Sequence, residues 1–213
     1  MKKVTDIRPR RSEKRVNIVV NNTFTFTLDA ELVTRVGLQV GQELSSDEFG
    51  ELLKADFFQS CFGLALHYLS YRPRSEAEVR RRLRRSFDSN VVEEVIANLK
   101  EQKLIDDVAF AEFWKDNRVC FSPRSRRLIS CELKKKGVVD EIVEEVTKDL
   151  DDEASAYVAG SRKARLLGGL DYSKFRQRLV NYLKWRGFSY EIIKHIIDRL
   201  WQEQSSRQQS CLR

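Results

Sequence analysis

The sequence predicts a mainly α-helical protein built from three tandem three-helix repeats, preceded by a small N-terminal unit of a β-hairpin and short helices. Helical apolar spacing runs from Cys61 almost to the end of the chain, Pro and Gly are scarce at 3 and 9 residues, and one pattern recurs about every 50 residues. Since each repeat in such proteins packs mainly on its neighbours, we expect an elongated array.

Composition and periodicity divide the chain into six segments. They are a basic arm over residues 1–15, the N-terminal unit over 16–58, the three repeats over 59–105, 106–150 and 151–203, and a polar tail over 204–213. The arm carries seven basic and two acidic residues. It is either a flexible segment that touches nucleic acid or a solubilising tail, and the sequence leaves both interpretations open.

Two alternating apolar runs, Val16–Val20 and Phe24–Leu28, predict the strands of a β-hairpin. Asn21-Asn22 lies between them, and asparagine tolerates the left-handed backbone that a two-residue turn requires. Asp29 then begins one short helix as an N-cap, and Ser45 or Ser46 begins a second. An isolated hairpin is marginally stable in water, so we expect it to pack on the helices that follow.

The first repeat contains the most basic stretch of the chain, Arg72–Phe87, with seven arginines and two glutamates. Pro73 and Ser75 mark the start of a helix. Val79 and Leu83 lie four residues apart on one apolar face, which leaves the arginines on the rest of the surface.

The same helix recurs in the second and third repeats. Pro-Arg-Ser at 73–75 returns at 123–125, and equivalent apolar positions are Val79, Ile129 and Leu179, followed by Leu83, Leu133 and Leu183. Gly137 and Gly187 end this helix in the later repeats, as a left-handed C-terminal residue would. The first repeat has Ser86-Phe87 there, so we expect its helices to meet differently.

The charge pattern favours an anionic partner. The net charge is +7 and the isoelectric point is about 9.3, which suits nucleic acid or an acidic protein surface. The middle helix of each repeat is basic, and the helix that follows it in the first two repeats is acidic. These helices either attract one another weakly across each repeat or present a series of basic ridges to a long partner.

The sequence predicts no enzyme, no cofactor and no small-molecule substrate. It has no phosphate-binding glycine loop and no hydrolase or metalloprotease motif. The four cysteines form no C-x-x-C pair, so we expect free thiols and no metal site. Asp106-Asp107 is explained by helix capping. Trp114, Trp185 and Trp201 occur at helical apolar spacing and are predicted core residues.

No stretch of the sequence reaches the roughly 18 apolar residues that a membrane-spanning helix needs. The N-terminus is basic but lacks the apolar run of a secretory signal. We therefore expect a cytoplasmic protein, and we expect it to be a monomer.

Four ordered motifs resemble the RecX family of recombination regulators. They are LHYLSYRPRSEAEVRRRLRRSF, NLKEQKLIDDVAFAEFW, SPRSRRLISCELKKKGV and YLKWRGFSYEIIKHII, within residues 61–202. The resemblance implies tandem three-helix repeats, with the RecA–DNA filament as partner. It also implies a non-catalytic regulator that modulates and inhibits the ATPase and strand exchange of RecA in recombination and DNA repair. Residues 1–58 lie outside the resemblance, and they either add filament contacts or cap the first repeat.

The basic middle helices are the predicted partner-binding face, because the arginine fork binds both carboxylate and phosphate. The candidates are Arg72, Arg74, Arg81, Arg84 and Arg85 in the first repeat and Arg124, Arg126, Arg127, Lys134 and Lys135 in the second, with Arg176, Arg178 and Arg186 as weaker ones in the third. Phosphates of single- or double-stranded DNA are a second expected partner. The alternative is a direct, sequence-tolerant DNA-binding protein made of helix-turn-helix-like units.

Overall fold

The structure, a computed structural model, describes residues 1–10 and 14–210, and for 205–210 it describes the backbone only. The chain divides into two compact units. The first contains residues 1–74 and 78–105, and the second contains residues 75–77 and the chain from 106 onward. The N-terminal sheet and most of the first repeat therefore form one unit, and the second and third repeats form the other.

The N-terminal unit contains a four-stranded antiparallel sheet in the order β3-β2-β1-β4. The strands are β1 (Lys2–Pro9), β2 (Arg15–Val20), β3 (Phe24–Asp29) and β4 (Glu43–Leu44). Strands β2 and β3 form the predicted hairpin, with Val20 paired to Phe24. Asn21 and Asn22 have φ of 52° and 58°, as the turn chemistry requires. The hairpin prediction is confirmed.

The prediction of a basic arm is wrong for the first strand. Lys2–Pro9 pairs with β2 on one side and with β4 on the other. Val4 is completely buried in the sheet core, and the Thr5 hydroxyl donates to the carbonyl of Val19. Lys3 and Arg8 are exposed on this strand, whereas Lys2 lies on the side of Val4 with its ammonium group 3.4 Å over the ring of Phe49. Residues 11–13 of the predicted arm lie outside the described residues.

Two helices follow the hairpin. Helix α1 (Ala30–Val36) is capped by Asp29, whose carboxylate accepts from the backbone N–H groups of Glu31 and Leu32. Helix α2 (Ser46–Leu69) begins at a capping box of Ser45 and Glu48. The predicted N-cap Asp29 is confirmed, and of the two predicted starts of the second helix the structure has Ser45 as the cap.

The predicted boundary between residues 58 and 59 lies inside α2, which is one continuous helix of 24 residues. Its first half packs Phe49 and Leu52 into the sheet core. Its second half packs Cys61 and Ala65 into the core of the first repeat. One helix therefore serves both cores, and no linker separates them.

The remaining helices form the predicted repeats. They are α3 (Glu76–Leu83), α4 (Ser89–Glu101), α5 (Asp107–Phe121), α6 (Arg126–Lys135), α7 (Asp140–Thr147), α8 (Asp152–Ala164), α9 (Tyr172–Trp185) and α10 (Tyr190–Ser210). A short 3₁₀ turn, Arg165–Leu167, follows α8. The segment predicted as a polar tail, 204–213, continues α10 as far as Ser210, and residues 211–213 lie outside the described residues.

Equivalent apolar positions fill the three repeat cores. Val79, Leu83, Ile129, Leu133, Leu179 and Leu183 all have no exposed surface. Each belongs to the middle helix of its repeat, which the other two helices cover with residues such as Val95, Phe110 and Ile196. The spacing of four residues therefore predicted correctly which face of the middle helix is buried in each of the three repeats.

The second and third repeats meet at a tight joint within the second unit. The backbone N–H of Ser125 donates to the carbonyl of Arg186 at 3.0 Å, and the N–H of Arg126 donates to Asp152 at 2.6 Å. Gly187 has φ of 87°, and a Cβ there would lie 2.5 Å from the Ser125 Oγ. Gly187 is therefore required both by its backbone conformation and by the close approach of α6.

The same pattern occurs elsewhere in the second unit, which includes residues 75–77. The Ser75 hydroxyl donates to the carbonyl of Lys136 at 2.6 Å, and the N–H of Glu76 donates to Asp107 at 2.8 Å. A Cβ on Gly137 would lie 2.3 Å from the Ala77 Cβ. In both places the start of the middle helix of one repeat packs against the glycine that ends the middle helix of the next repeat.

This arrangement explains why the first repeat lacks the glycine. Among the described residues before it, the first repeat has the N-terminal sheet and helices α1 and α2, and no three-helix repeat that would approach the end of α3 in the same way. Helix α3 ends with ordinary turns, in which the N–H groups of Ser86 and Phe87 donate to the carbonyl of Leu83.

Candidate partner-binding faces

Two of the candidate arginines in the first repeat are engaged within the repeat itself. Arg72 forms a two-point ion pair with Glu78, at 2.9 and 3.0 Å, and this contact raises the pKa of the Arg72 guanidinium. Arg74 stacks 3.7 Å over the ring of Tyr68 and donates to its carbonyl and hydroxyl oxygens. These contacts fix the chain that leads into α3.

A second pair of arginines binds an acid on the neighbouring helix. Arg80 and Arg84, one turn apart on α3, both donate to the carboxylate of Glu93 on α4. Their hydrogen bonds lower the pKa of Glu93 below its usual value. Arg84 is therefore partly neutralised, and this accounts for one predicted attraction between a basic helix and the acidic helix that follows it.

The other arginines of α3 line a surface pocket of about 150 Å³. We call it the basic pocket, and its lining residues are Tyr68, Glu78, Arg81, Arg82 and Arg85. Among the described residues, Arg81, Arg82 and Arg85 have no ion-pair partner within 4.0 Å. Arg81 and Arg85 are exposed and Arg82 is half-buried around this concavity, where their guanidinium groups can bind carboxylate or phosphate oxygens.

The second repeat arranges its cations differently. The carboxylate of Glu132 accepts from Arg124, from the Arg118 Nε at 2.8 Å and from the Trp114 indole N–H at 2.8 Å. We call Trp114, Arg118, Arg124 and Glu132 the Glu132 cluster. Burial lowers the pKa of the Arg124 guanidinium, and the positive charges of Arg118 and Arg186 lower it further. Arg124 therefore pairs with Glu132 inside the second unit and is not available to a partner in the way that an exposed cation is.

The other candidates of the second repeat lie on the surface of α6. Arg126, Arg127, Lys134 and Lys135 are all exposed. Lys134 pairs with Asp140 at 3.1 Å, whereas the side chains of Arg126, Arg127 and Lys135 have no ion-pair partner in the described part of the chain. The second repeat therefore also keeps three unpaired cations, along the exposed surface of α6.

The candidates of the third repeat are divided in the same way. Arg186 is half-buried, stacks 4.3 Å over Tyr182 and donates to its hydroxyl and to Ser122. Arg176 reaches the hydroxyl of Tyr190 at 3.4 Å, and Arg178 is exposed. Arg186 therefore contributes to packing within the second unit, and Arg178 remains available at its surface.

Sequence reasoning missed two residues of these surfaces. Arg82 lies in the basic pocket although its place in the Arg run gave no sign that it differed from its neighbours. The prediction that Trp185 is a core residue is wrong, because its side chain is 85% exposed. Trp185 follows Leu183 by two residues, a spacing that turns it to the opposite side of α9 from the core.

Other features of the chain have structural explanations. Asp106 caps α5 by accepting from the N–H groups of Val108 and Ala109, as predicted. Within the described residues no group of three His, Cys, Asp or Glu side chains could hold a metal ion. In the same part of the chain no helix is both long and apolar enough to cross a bilayer.

The fold and these surfaces define a class of protein: a tandem-repeat helical protein with basic faces and an N-terminal sheet. Models of the RecX family match it along most of its length. The RecX N-terminal domain matches residues 2–45, and the first, second and third three-helix domains match 61–99, 106–146 and 151–197. The chain belongs to the RecX family of regulatory proteins. The match over 2–45 corrects the expectation that this segment lies outside the family.

Named relatives agree with this assignment. Regulatory protein RecX of Clostridioides difficile (strain 630) is 30% identical, over 90% of this chain and 92% of its own length. Regulatory protein RecX of Clostridium perfringens (strain SM101 / Type A) is also 30% identical, over 94% of this chain and 97% of its own length.

Two crystal structures have a similar fold. A structure of regulatory protein RecX superposes with a TM-score of 0.66 at 21% identity, over 93% of this chain and all of that one. RecX from Lactobacillus salivarius superposes with a TM-score of 0.58 at 28% identity, over 68% of this chain and 97% of that one. The tandem three-helix architecture is therefore shared.

Proposed function

We propose that this protein binds the filament that RecA forms on DNA and inhibits the ATPase and strand-exchange activities of RecA. It would act as a stoichiometric, non-catalytic regulator in the cytoplasm. Membership of a family of regulatory proteins supports a regulatory role. The observation that carries the proposed mode of binding is the basic pocket, where Arg81, Arg82 and Arg85 lack partners in the described residues.

The basic pocket is suited to an acidic protein surface. Cations that are already paired must lose one contact to form another, so the net gain is small. Unpaired exposed arginines avoid that loss, and their planar forks bind carboxylates at two points. Complementary charge also accelerates the encounter between partners and fixes their register.

The test is a titration of the DNA-dependent ATPase of RecA with the wild-type protein and with R81Q/R82Q/R85Q. We expect the variant to need a concentration about tenfold higher or more for half-inhibition, since each lost contact of this kind weakens binding by roughly 1 kcal/mol. The variant should keep the circular dichroism spectrum of the wild type, because these side chains contribute no apolar surface to the core.

The matched control removes the same charge elsewhere. K54Q/K115Q/K148Q replaces three lysines that pair with neighbouring acids, Glu51, Asp116 and Glu145. This control should inhibit as the wild type does. Equal inhibition by wild type and R81Q/R82Q/R85Q would contradict the proposal. Binding to naked DNA with no effect on the ATPase would favour the direct DNA-binding alternative.

A further inference from the structure

The third repeat exposes two aromatic side chains at the turn between α9 and α10. Trp185, the last residue of α9, is 85% exposed, and Tyr190, the first residue of α10, is 63% exposed. The other two tryptophans are engaged: Trp114 donates to Glu132, and Trp201 packs 5.2 Å from the ring of Phe175. An indole is a large apolar group, and this one lies mostly in water.

The repeat pattern shows that position 185 is a surface position in every repeat. Its equivalents, 50 residues apart in the alignment of the repeats, are Arg85 and Lys135, and both are exposed. The first two repeats therefore present a cation where the third presents a flat aromatic ring. A residue exchanged from cation to indole on a solvated face needs a partner for which the ring itself is useful.

The surroundings of Trp185 are cationic. Helix α9 contains Lys174, Arg176, Arg178 and Lys184 and no acidic residue. Arg178, Asn181 and Lys184 are all exposed, and Arg178 and Asn181 precede Trp185 by seven and four residues, which places them on the same side of the helix. The nearest acids in sequence are Glu191, beyond the turn, and Asp171, which caps the opposite end of α9 and pairs with Lys174.

This combination points to a nucleic acid rather than to a protein. The core of a protein–protein interface is depleted of charged residues, lysine in particular. Trp185 instead lies directly beside the exposed Lys184 on a helix without an acidic residue. An unpaired base instead needs a single aromatic platform, with cations for the phosphates on either side. Bases within a duplex are already stacked on their neighbours, so the platform selects a single strand.

We propose that Trp185 stacks on an unpaired nucleobase while Arg178 and Lys184 contact the adjoining phosphates. This site requires no contact with RecA, so it goes beyond the proposed function and is tested without it. Tyr190 lies five residues further along the chain, and it offers a second ring for a neighbouring base.

The first experiment follows tryptophan fluorescence as an oligothymidylate of roughly 20 nucleotides is added. Stacking on a base quenches the indole, so the wild-type signal should fall, and W185F should show little change because Trp114 and Trp201 are engaged inside the second unit. The same quench in W185F as in the wild type would overturn the proposal.

The second experiment measures the affinity of the labelled oligonucleotide by fluorescence anisotropy. W185A should bind about fivefold or more weakly, as expected for loss of one base stack. R178Q/K184Q should reduce the slope of log affinity against log salt by about 1.4, because each phosphate contact on a single strand contributes roughly 0.7. F57A, which removes an exposed aromatic on α2, is the matched control and should bind as the wild type does.

Three outcomes would overturn the assignment. The first is that W185A binds the oligonucleotide with wild-type affinity. The second is that W185A loses as much affinity for a duplex of the same length. The third is that W185A is impaired only in binding to RecA without DNA. Inhibition of the RecA ATPase by W185A is measured separately, so failure of the stacking site leaves the proposed function untouched, and the reverse also holds.

Discussion

The first and second repeats carry the same Pro-Arg-Ser start and the same apolar face, yet they use their arginines differently. The decisive position is the one occupied by Arg82 in the first repeat and by Glu132 in the second. In the second repeat this carboxylate gathers Arg118, Arg124 and Trp114 into the Glu132 cluster. In the first repeat the equivalent residue is itself a cation and joins the basic pocket.

The comparison shows that a count of basic residues does not measure available charge. Two arginines of α3, Arg80 and Arg84, pair with Glu93 on the next helix. Arg81, Arg82 and Arg85 keep their charge unpaired around one concavity. The residue at this position therefore decides how the basic helix uses its charge. With Glu132, arginines pair inside the second unit, and with Arg82 they stay available to a partner.

The joint glycine is the other difference between the first repeat and the later ones, and its replacement should have the largest effect on stability. In G187A the left-handed backbone costs about 1–2 kcal/mol, and the new Cβ would lie 2.5 Å from the Ser125 Oγ and 2.9 Å from the Leu128 Cβ. Relief of that overlap adds roughly 1–3 kcal/mol. Urea unfolding followed by circular dichroism measures the sum.

G169A is the matched control for the joint. Gly169 has φ of 82°, and a Cβ added there would meet no atom of the described residues within 4 Å, so only the backbone cost of about 1–2 kcal/mol applies. The difference between G187A and G169A isolates the contact with α6. Equal losses in the two variants would show that the close approach of Ser125 contributes nothing.

Replacement of Glu132 should have the next largest effect. E132Q removes the charge that pairs with Arg118 and Arg124, whose side chains are 21% and 30% exposed. The guanidinium groups of Arg118 and Arg124 then repel each other without a compensating carboxylate, and the charge of Arg186 also acts on Arg124. We expect a loss of about 2–3 kcal/mol, less than for a fully buried pair. The double variant E132Q/R124Q should regain part of the loss, since it removes one of the uncompensated charges. No recovery in the double variant, measured by urea unfolding, would contradict the electrostatic explanation.

Much of the fold followed from sequence periodicity. The positions of Val79, Ile129 and Leu179 predicted the inward faces, because a spacing of three and four residues can put only one side of a helix in the core. The asparagine pair predicted the hairpin turn for a similar local reason. Local chemistry was sufficient wherever one short segment determines its own conformation.

The errors arose where distant segments decide the outcome. Lys2–Pro9 became a strand because β2 and β4 pair with it, and strand pairing over such distances leaves little trace in local composition. Helix α2 continues through residue 58 because both ends find cores to pack against. Which arginines remain unpaired depends on acids as far away as Glu93, which a run of basic letters does not reveal.

The smallest predicted effect concerns Glu93, the acid that neutralises Arg80 and Arg84 on the exposed side of the first repeat. Hydrogen bonds from both arginines hold the pKa of Glu93 below the ordinary value of 4.5. A carboxyl whose pKa is lowered on folding adds stability above its unfolded-state pKa, and this stability is lost as the pH falls through the folded-state pKa.

The urea midpoint of E93Q should therefore lie slightly below that of the wild type at pH 7, and the gap should close as the pH falls below about 4.5. E112Q replaces an exposed glutamate on α5 that has no ion pair among the described residues, and it should show no such pH-dependent gap. A gap for E93Q that is as wide at pH 3 as at pH 7 would mean that side-chain packing, and not charge, holds Arg80 and Arg84. In that case the first repeat would have two more cations to offer a partner than its contacts suggest.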